Sequence, residues 1–224
     1  MTLTIHGVGM STCAKRVGII LHEKQIPFIL KHVDLATKQH KSPGHLEKQP
    51  FGQVPYLEDD RFFLFESRAI GKYLATKYAG QGTQDLVPDF GDLQAVAKFD
   101  QASSIEAFDF EGVVFPFVVE WFMRLRNPEH VTDQASITKQ AEILEGKLDG
   151  YERILAKQRY LAGDNLTVVD LFHLPHGTIV PTVLAKDPLD NQKRPNVARW
   201  WKELQARPSW LAVKDGVESK ERYN

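Results

Sequence analysis

Apolar and polar positions alternate in short runs along the first eighty residues, and the period of the alternation keeps changing. Thr2 to His6 alternates residue by residue, which predicts a strand. Cys13 to Lys24 places Val17, Ile20 and Leu21 at helical spacing. Phe28 to Asp34 is rich in apolar and β-branched residues and predicts a second strand. Val54 to Glu58 and Phe62 to Phe65 are two further short runs, with Asp59-Asp60-Arg61 between them as the turn of a hairpin. Ser67 to Tyr78 returns to helical spacing through Ile70, Tyr73 and Leu74. The order strand, helix, strand, irregular segment, strand, strand, helix predicts a βαβ unit joined to a ββα unit around one sheet.

The pattern changes after Gly80. Residues 81–91, rich in Gly, Pro and Asp, read as a linker between a first domain of residues 1–80 and a second of residues 92–224. The second domain has no convincing strand pattern and is expected to be all-helical. Leu93, Val96, Phe99, Phe110, Val113, Phe117, Trp121 and Leu125 form a long apolar stripe, with Pro116 inside it as the expected site of a kink. A second long helix is predicted from about Thr132 to Lys157, with Ile143, Leu144, Leu148, Tyr151 and Leu155 on one face. In LTVVDL, Thr167 and Asp170 have the spacing of a capping box, with Leu166 and Leu171 placed as a hydrophobic staple.

Composition narrows the class. The 224 residues are 42% hydrophobic and 25% charged, which suits a packed soluble core. A formal charge of -1 gives no electrostatic reason to bind a polyanion, so no nucleic-acid partner is expected. One cysteine excludes an internal disulfide framework and any CxxC pair. No apolar run reaches membrane-spanning length and no cleavable leader pattern is present, so a cytoplasmic location with no membrane partner is expected.

Two stretches carry candidate chemistry. GMSTCAKRV sets Ser11, Thr12 and Cys13 in a row at the start of the first predicted helix. PFGQVPYLEDDRFFLFESRAI, residues 50–70, places Pro55 at a strand beginning, where its missing N–H is tolerated. A cis bond there would turn the Val54 amide and carbonyl outward, to pair with an extended peptide as an added strand. Glu66 and Ser67 open the following helix, where free amides and the positive dipole end favour a carboxylate and Glu66 can hold an ammonium. Upstream, His40 and Lys41 can hold a second carboxylate. A short peptide with an amino-acid head group at one end and a carboxylate at the other fits this layout, and glutathione has that form with a thiol in the middle. Read more simply, His40-Lys41 is a solvated charge pair and Glu66-Ser67 a helix cap.

The whole pattern resembles the cytosolic glutathione transferases, most closely the phi class. STxxxRV, HEK after the first helix, HK in the loop, PFGQVP, LFESRAI, LAGDNLTVVDL and the terminal NVxRWWxxLxxRPSW carry the resemblance, which runs from residue 5 to about 212. It implies an α/β thioredoxin-like first domain plus an all-α C-terminal domain, and glutathione as co-substrate with no permanently bound cofactor. It implies Ser11 as the catalytic residue and His40 and Lys41 as glycyl-carboxylate contacts. Gln53 and Val54 would pair with the cysteinyl backbone, Pro55 would be the cis-proline, and Glu66 and Ser67 would bind the γ-glutamyl group. The implied activity is conjugation of the glutathione thiolate to hydrophobic electrophiles, with reduction of organic hydroperoxides beside it. A carrier of hydrophobic ligands with little catalysis is the alternative, and an interaction domain built on the same fold a third reading that the complete glutathione set disfavours. Met10, Leu35, Phe108, Phe115 and Phe117 are the candidates for the electrophile pocket; the segment Glu106 to Arg126 matches no family pattern that places them. The resemblance also implies a homodimer.

Set beside the CPFAxR pattern of cysteine-type relatives, Ser11 falls on the cysteine and Cys13 on the phenylalanine. Cys13 is therefore expected to be a buried, inert packing thiol. His173 and His176 have helical ligand spacing but no third ligand nearby, and are expected to be structural. Trp200 and Trp201 are expected to pack, one inward and one at a rim.

Overall fold

The structure, a computed structural model, describes residues 3–223, and Thr2 lies outside them. The chain divides into two compact units. The first runs to Val87 and regains the chain from Arg207 onward; the second spans Pro88–Ala206.

In the first unit, β1 (Leu3–Gly7), β2 (Phe28–His32), β3 (Tyr56–Asp59) and β4 (Phe62–Phe65) form one sheet in the order β2-β1-β3-β4. β2 is parallel to β1, across the helix α1 (Thr12–Glu23), while β3 and β4 are antiparallel. Asp59 pairs with Phe62, so the hairpin turn is Asp60-Arg61 alone, with Asp60 in the left-handed region at φ 57°. A short helix α2 (Pro43–Leu46) precedes β3, and α3 (Ser67–Lys77) follows β4. Val17, Ile20 and Leu21 of α1 are fully buried, as are Ile70 and Leu74 of α3, Ile5 of β1 and Leu57 of β3. Those positions are the ones set by the two periods of the sequence.

The second unit contains α4 (Leu93–Ser104), a π-helical stretch (Ile105–Glu111), α5 (Gly112–Arg126), α6 (Gln134–Leu155), the short helices α7 (Val168–Phe172), α8 (Leu174–Gly177) and α9 (Val180–Leu184), and α10 (Pro195–Gln205). The helical register changes in the π-helical stretch, while Pro116, the expected site of the kink, sits inside a continuous α5. On α6 the buried face is Ile137, Leu144, Leu148, Tyr151 and Leu155. Ile143 is exposed instead, because one residue along a helix turns the side chain by about 100° from Leu144.

Asp170 sits fully buried at the centre of this unit. It accepts hydrogen bonds from the Thr167 amide at 3.0 Å and hydroxyl at 2.9 Å, from the Leu161 amide at 3.0 Å and from Trp200 Nε1 at 3.0 Å. His173 lies 3.0 Å from the Tyr151 hydroxyl, and His176 lies 2.6 Å from a Glu111 carboxylate oxygen. Both histidines are thus held by protein groups. Trp201 is as completely buried as Trp200, with its Nε1 donating to Asp187, so neither tryptophan is at a rim.

A last helix, α11 (Pro208–Val213), packs against α1 in the first unit. The second domain expected at residues 92–224 therefore ends before Arg207. No described helix is long and apolar enough to cross a membrane.

Candidate active site

The site begins where β1 gives way to α1. Residues 8–10 cross from strand to helix, and the Ser11 amide closes a tight turn onto the Val8 carbonyl at 2.9 Å. Ser11 is the N-cap of α1, with extended backbone at φ −62° and ψ 132°. Its Oγ accepts from the Ala14 amide at 3.4 Å. Among the described residues the hydroxyl proton has no protein acceptor, so it is available to a ligand beside the positive end of α1.

Thr12 is buried, while Cys13 is partly exposed. Cys13 is thus not the buried apolar thiol expected. From the first turn of α1 its sulfur meets Arg16 Nη1 at 3.7 Å. Arg16 is fully buried, and the same Nη1 donates to Ser67 Oγ at 2.9 Å. This guanidinium ties the first turn of α1 to the first residue of α3. In the sequence Arg16 stands only as the arginine of STxxxRV; a charged side chain beside the apolar Val17 and Ile20 of the same helix was the available signal.

Ser67 is buried at the start of α3, and Glu66 precedes it as N-cap with φ 69°, its exposed carboxylate making no cap bond. Gln53 is held at both backbone groups. Its amide donates to Oε1 of buried Gln49 at 3.1 Å, and its carbonyl accepts from His45 Nε2 at 2.8 Å. A carbonyl only accepts, so that ring nitrogen carries its proton. His45 and Gln49 are positioning residues that sequence reading missed, since their roles depend on contacts across the loop. The Val54–Pro55 bond is cis, and the Val54 amide and carbonyl are unpaired among the described residues.

His40 and Lys41 lie in a single 3-10 turn, Gln39–Lys41. Lys41 donates to the Phe51 carbonyl at 3.0 Å, one of its three N–H groups. Gly52 makes this possible: a Cβ there would lie 2.7 Å from the lysine side chain, and its φ of 59° suits glycine. His40 Nδ1 is shielded from solvent without a partner among the described residues, a state that invites a ligand group. Ser11, His40, Lys41, Gln53, Val54, Pro55, Glu66 and Ser67 all belong to the first unit.

The apolar candidates divide. Met10 and Leu35 of the first unit and Phe108 and Phe115 of the second are exposed. Phe117 is completely buried in the core of the helical unit, so its ring offers no surface to a ligand.

Two family models match this chain, the glutathione S-transferase N-terminal domain over residues 1–76 and the C-terminal domain over residues 114–208. Glutathione S-transferase PM239X14 of Arabidopsis thaliana is 39% identical over 208 residues, covering 90% of each chain. The crystal structure of glutathione transferase F7 from Populus trichocarpa superposes with a TM-score of 0.86 at 37% identity, covering 96% of this chain and 98% of that one. A glutathione S-transferase I structure bound with lactoylglutathione superposes with a TM-score of 0.85 at 34% identity, covering 96% and 99%. Matched in both domains and over most of its length, the chain belongs to the glutathione S-transferase family and is a glutathione transferase whose relatives include plant enzymes of the phi (F) class.

Proposed function

We propose that Ser11 activates glutathione by donating a hydrogen bond from its hydroxyl to the sulfur, which stabilises the thiolate as the thiol proton passes to solvent, and that the thiolate then adds to an apolar electrophile. The observation that carries this reading is the uncommitted Ser11 proton at the N-cap of α1. Ser11 is not a nucleophile here; the sequence has no GxSxG elbow. A free thiol has a pKa of about 8.5 and is only a few per cent ionised at neutral pH. Lowering it by roughly two units takes about 2.7 kcal/mol. A hydrogen bond to a charged group contributes about 1.5–3 kcal/mol, so Ser11 with a small helix-dipole addition suffices.

The tripeptide is oriented by the rest of the set. Glu66 and Ser67 take the γ-glutamyl group, with Arg16 fixing the Ser67 hydroxyl. The unpaired Val54 amide and carbonyl take the cysteinyl backbone, on a loop that His45 and Gln49 hold at Gln53. Lys41 and His40 take the glycyl carboxylate. The lactoylglutathione in the related structure is a compound of the class this layout suits. Met10 and Leu35, exposed in the first unit, offer apolar surface for the electrophile, and organic hydroperoxides are a second substrate class. The carrier reading is separated by a conjugation assay run beside displacement of a bound hydrophobic dye. Turnover of an apolar electrophile supports catalysis; dye binding without turnover supports the carrier. Titrating the ultraviolet absorbance of bound thiolate in the wild type and Ser11→Ala tests Ser11 itself.

Cys13→Ser is expected to leave conjugation within about twofold of the wild type, because the thiol is not assigned a step. Steady-state rates check this. Loss of activity in Cys13→Ser with retention in Ser11→Ala would reverse the assignment.

The enzyme is also expected to be a cytosolic homodimer, pairing the first domain of each subunit with the helical domain of the other. Phe62 and Leu93, in the segments that would meet, are large exposed apolar residues. Sedimentation should give twice the 25.5 kDa chain mass at assay concentrations. A monomer that conjugates glutathione at the full rate would overturn this.

A further inference from the structure

We propose that the C-terminal segment, residues 214–220, is a positioning element for the Ser11 loop, with Val217 as its acting residue; this rests on the Ser11 reading above. After α11 the chain turns at Gly216, whose φ is 139°, and runs back along the first unit. The Val217 amide donates to the Gly9 carbonyl at 3.0 Å. Gly9 stands two residues before Ser11. A Cβ on Gly9 would lie 2.5 Å from the Val217 carbonyl oxygen, so the two backbones are in direct contact. Met10 meets the same strap: a Cβ on Gly216 would lie 3.3 Å from its sulfur. The Val217 side chain is buried over α1 at Gly18, where a Cβ would come within 2.9 Å of it. Glycine at 9 and 18 is what admits the strap.

Both flanks of Val217 are tied down. Lys15 Nζ donates to the Lys214 carbonyl at 2.7 Å. Beyond Val217, the Ser219 hydroxyl accepts from the Leu30 amide at 2.9 Å. Lys220 and Phe28 exchange both backbone hydrogen bonds, at 2.8 and 2.9 Å, on the open edge of β2. The stem of the segment is anchored where Glu23 accepts from Arg207 and Ser209. The strap therefore bridges the outer strand and α1, and its middle holds the loop that carries Ser11.

The consequence is chemical because a hydrogen bond weakens steeply with misalignment. Among the described residues, Ser11 is otherwise held through its backbone by its amide donating to the Val8 carbonyl at 2.9 Å and by its carbonyl accepting from the Lys15 amide at 2.9 Å, while Gly9 is tied to Val217. Releasing Gly9 lets the Ser11 hydroxyl drift from the sulfur. The groups assigned to the rest of the tripeptide, His40, Lys41, Gln53, Val54, Glu66 and Ser67, lie on other segments and are spared. Loss of the strap should thus move thiol ionisation and kcat rather than the KM for glutathione.

The test uses the full-length enzyme, Val217→Pro (which removes the donating N–H), a chain ending at Gly216, Gly9→Ala, and Gly9→Ala within the shortened chain. Ser11→Ala is run in parallel. The readouts are the pH midpoint of bound-glutathione thiolate absorbance, kcat, KM and the melting temperature. Val217→Pro and the shortened chain should raise the midpoint toward that of Ser11→Ala by about half a unit or more, a loss of thiolate of about one-and-a-half-fold at pH 7 and nearly threefold at pH 6. KM should stay within about twofold. Gly9→Ala should raise the midpoint in the full chain and add nothing in the shortened one, where Val217 is gone. If the shortened chain does not fold, Val217→Pro and Gly9→Ala carry the test. A midpoint unchanged in these variants but raised in Ser11→Ala would overturn the strap's role and leave the Ser11 reading standing. A midpoint unchanged in Ser11→Ala would overturn that reading and the strap's role with it.

Discussion

Ser11→Ala is expected to lower kcat at neutral pH by about ten- to a hundredfold, the factor that a hydrogen bond to a thiolate worth roughly 1.5–3 kcal/mol implies. The fold should survive. Ser11 accepts one long bond from the Ala14 amide, and its loss resembles loss of a helix cap, about 0.5–2 kcal/mol. Glutathione affinity should change little, since the other contacts remain. The decisive feature is the pH profile. The variant should recover toward wild-type rates above pH about 9, where the thiol ionises unaided. Steady-state kinetics across pH, with a melting curve as control, measures this. A loss that is the same at every pH would mean that Ser11 orients the electrophile or the peptide and does not ionise the thiol.

Asp170→Ala is expected to be the most damaging single change to stability. The carboxylate is completely buried and accepts four hydrogen bonds. Removing it strands the Leu161 and Thr167 amides and the Trp200 indole N–H, each costing about 1–3 kcal/mol when buried and unpaired. With partial relaxation the total should reach about 3–5 kcal/mol, against a typical domain stability of about 5–15. Melting temperature should fall by about 10 °C or more. Asp170→Asn should lose less, because one oxygen still accepts while its amide meets donors. Thermal denaturation followed by circular dichroism checks both; a fall of under about 2 °C for Asp170→Ala would mean that water or neighbouring groups replace the carboxylate.

The first unit was legible because its period switches are sharp. Thr167 and Asp170 were legible as a box, but not as a hub, since Leu161 and Trp200 reach Asp170 through tertiary packing. The return of residues 207–223 to the first unit was not legible. KDGVESKERY is polar and aperiodic, and its docking rests on single contacts, the Val217 amide to Gly9 and the buried Val217 side chain over Gly18, that set no local period. The π-helical stretch Ile105–Glu111 was missed because a change of hydrogen-bond register leaves no distinct apolar period. In the site, residues that would touch the ligand were visible through PFGQVP and FES. The residues that hold those groups, Arg16, His45 and Gln49, were not, because a supporting side chain follows no local spacing.

Lowering the pKa of bound glutathione is the role proposed for Ser11. Ultraviolet titration of glutathione bound to the wild-type enzyme tests it most directly. The thiolate band should appear with a midpoint roughly two units below that of free glutathione, near pH 6.5, and should return most of the way to the free value in Ser11→Ala. A bound thiol that titrates as it does in water, in an enzyme that still conjugates, would contradict the account.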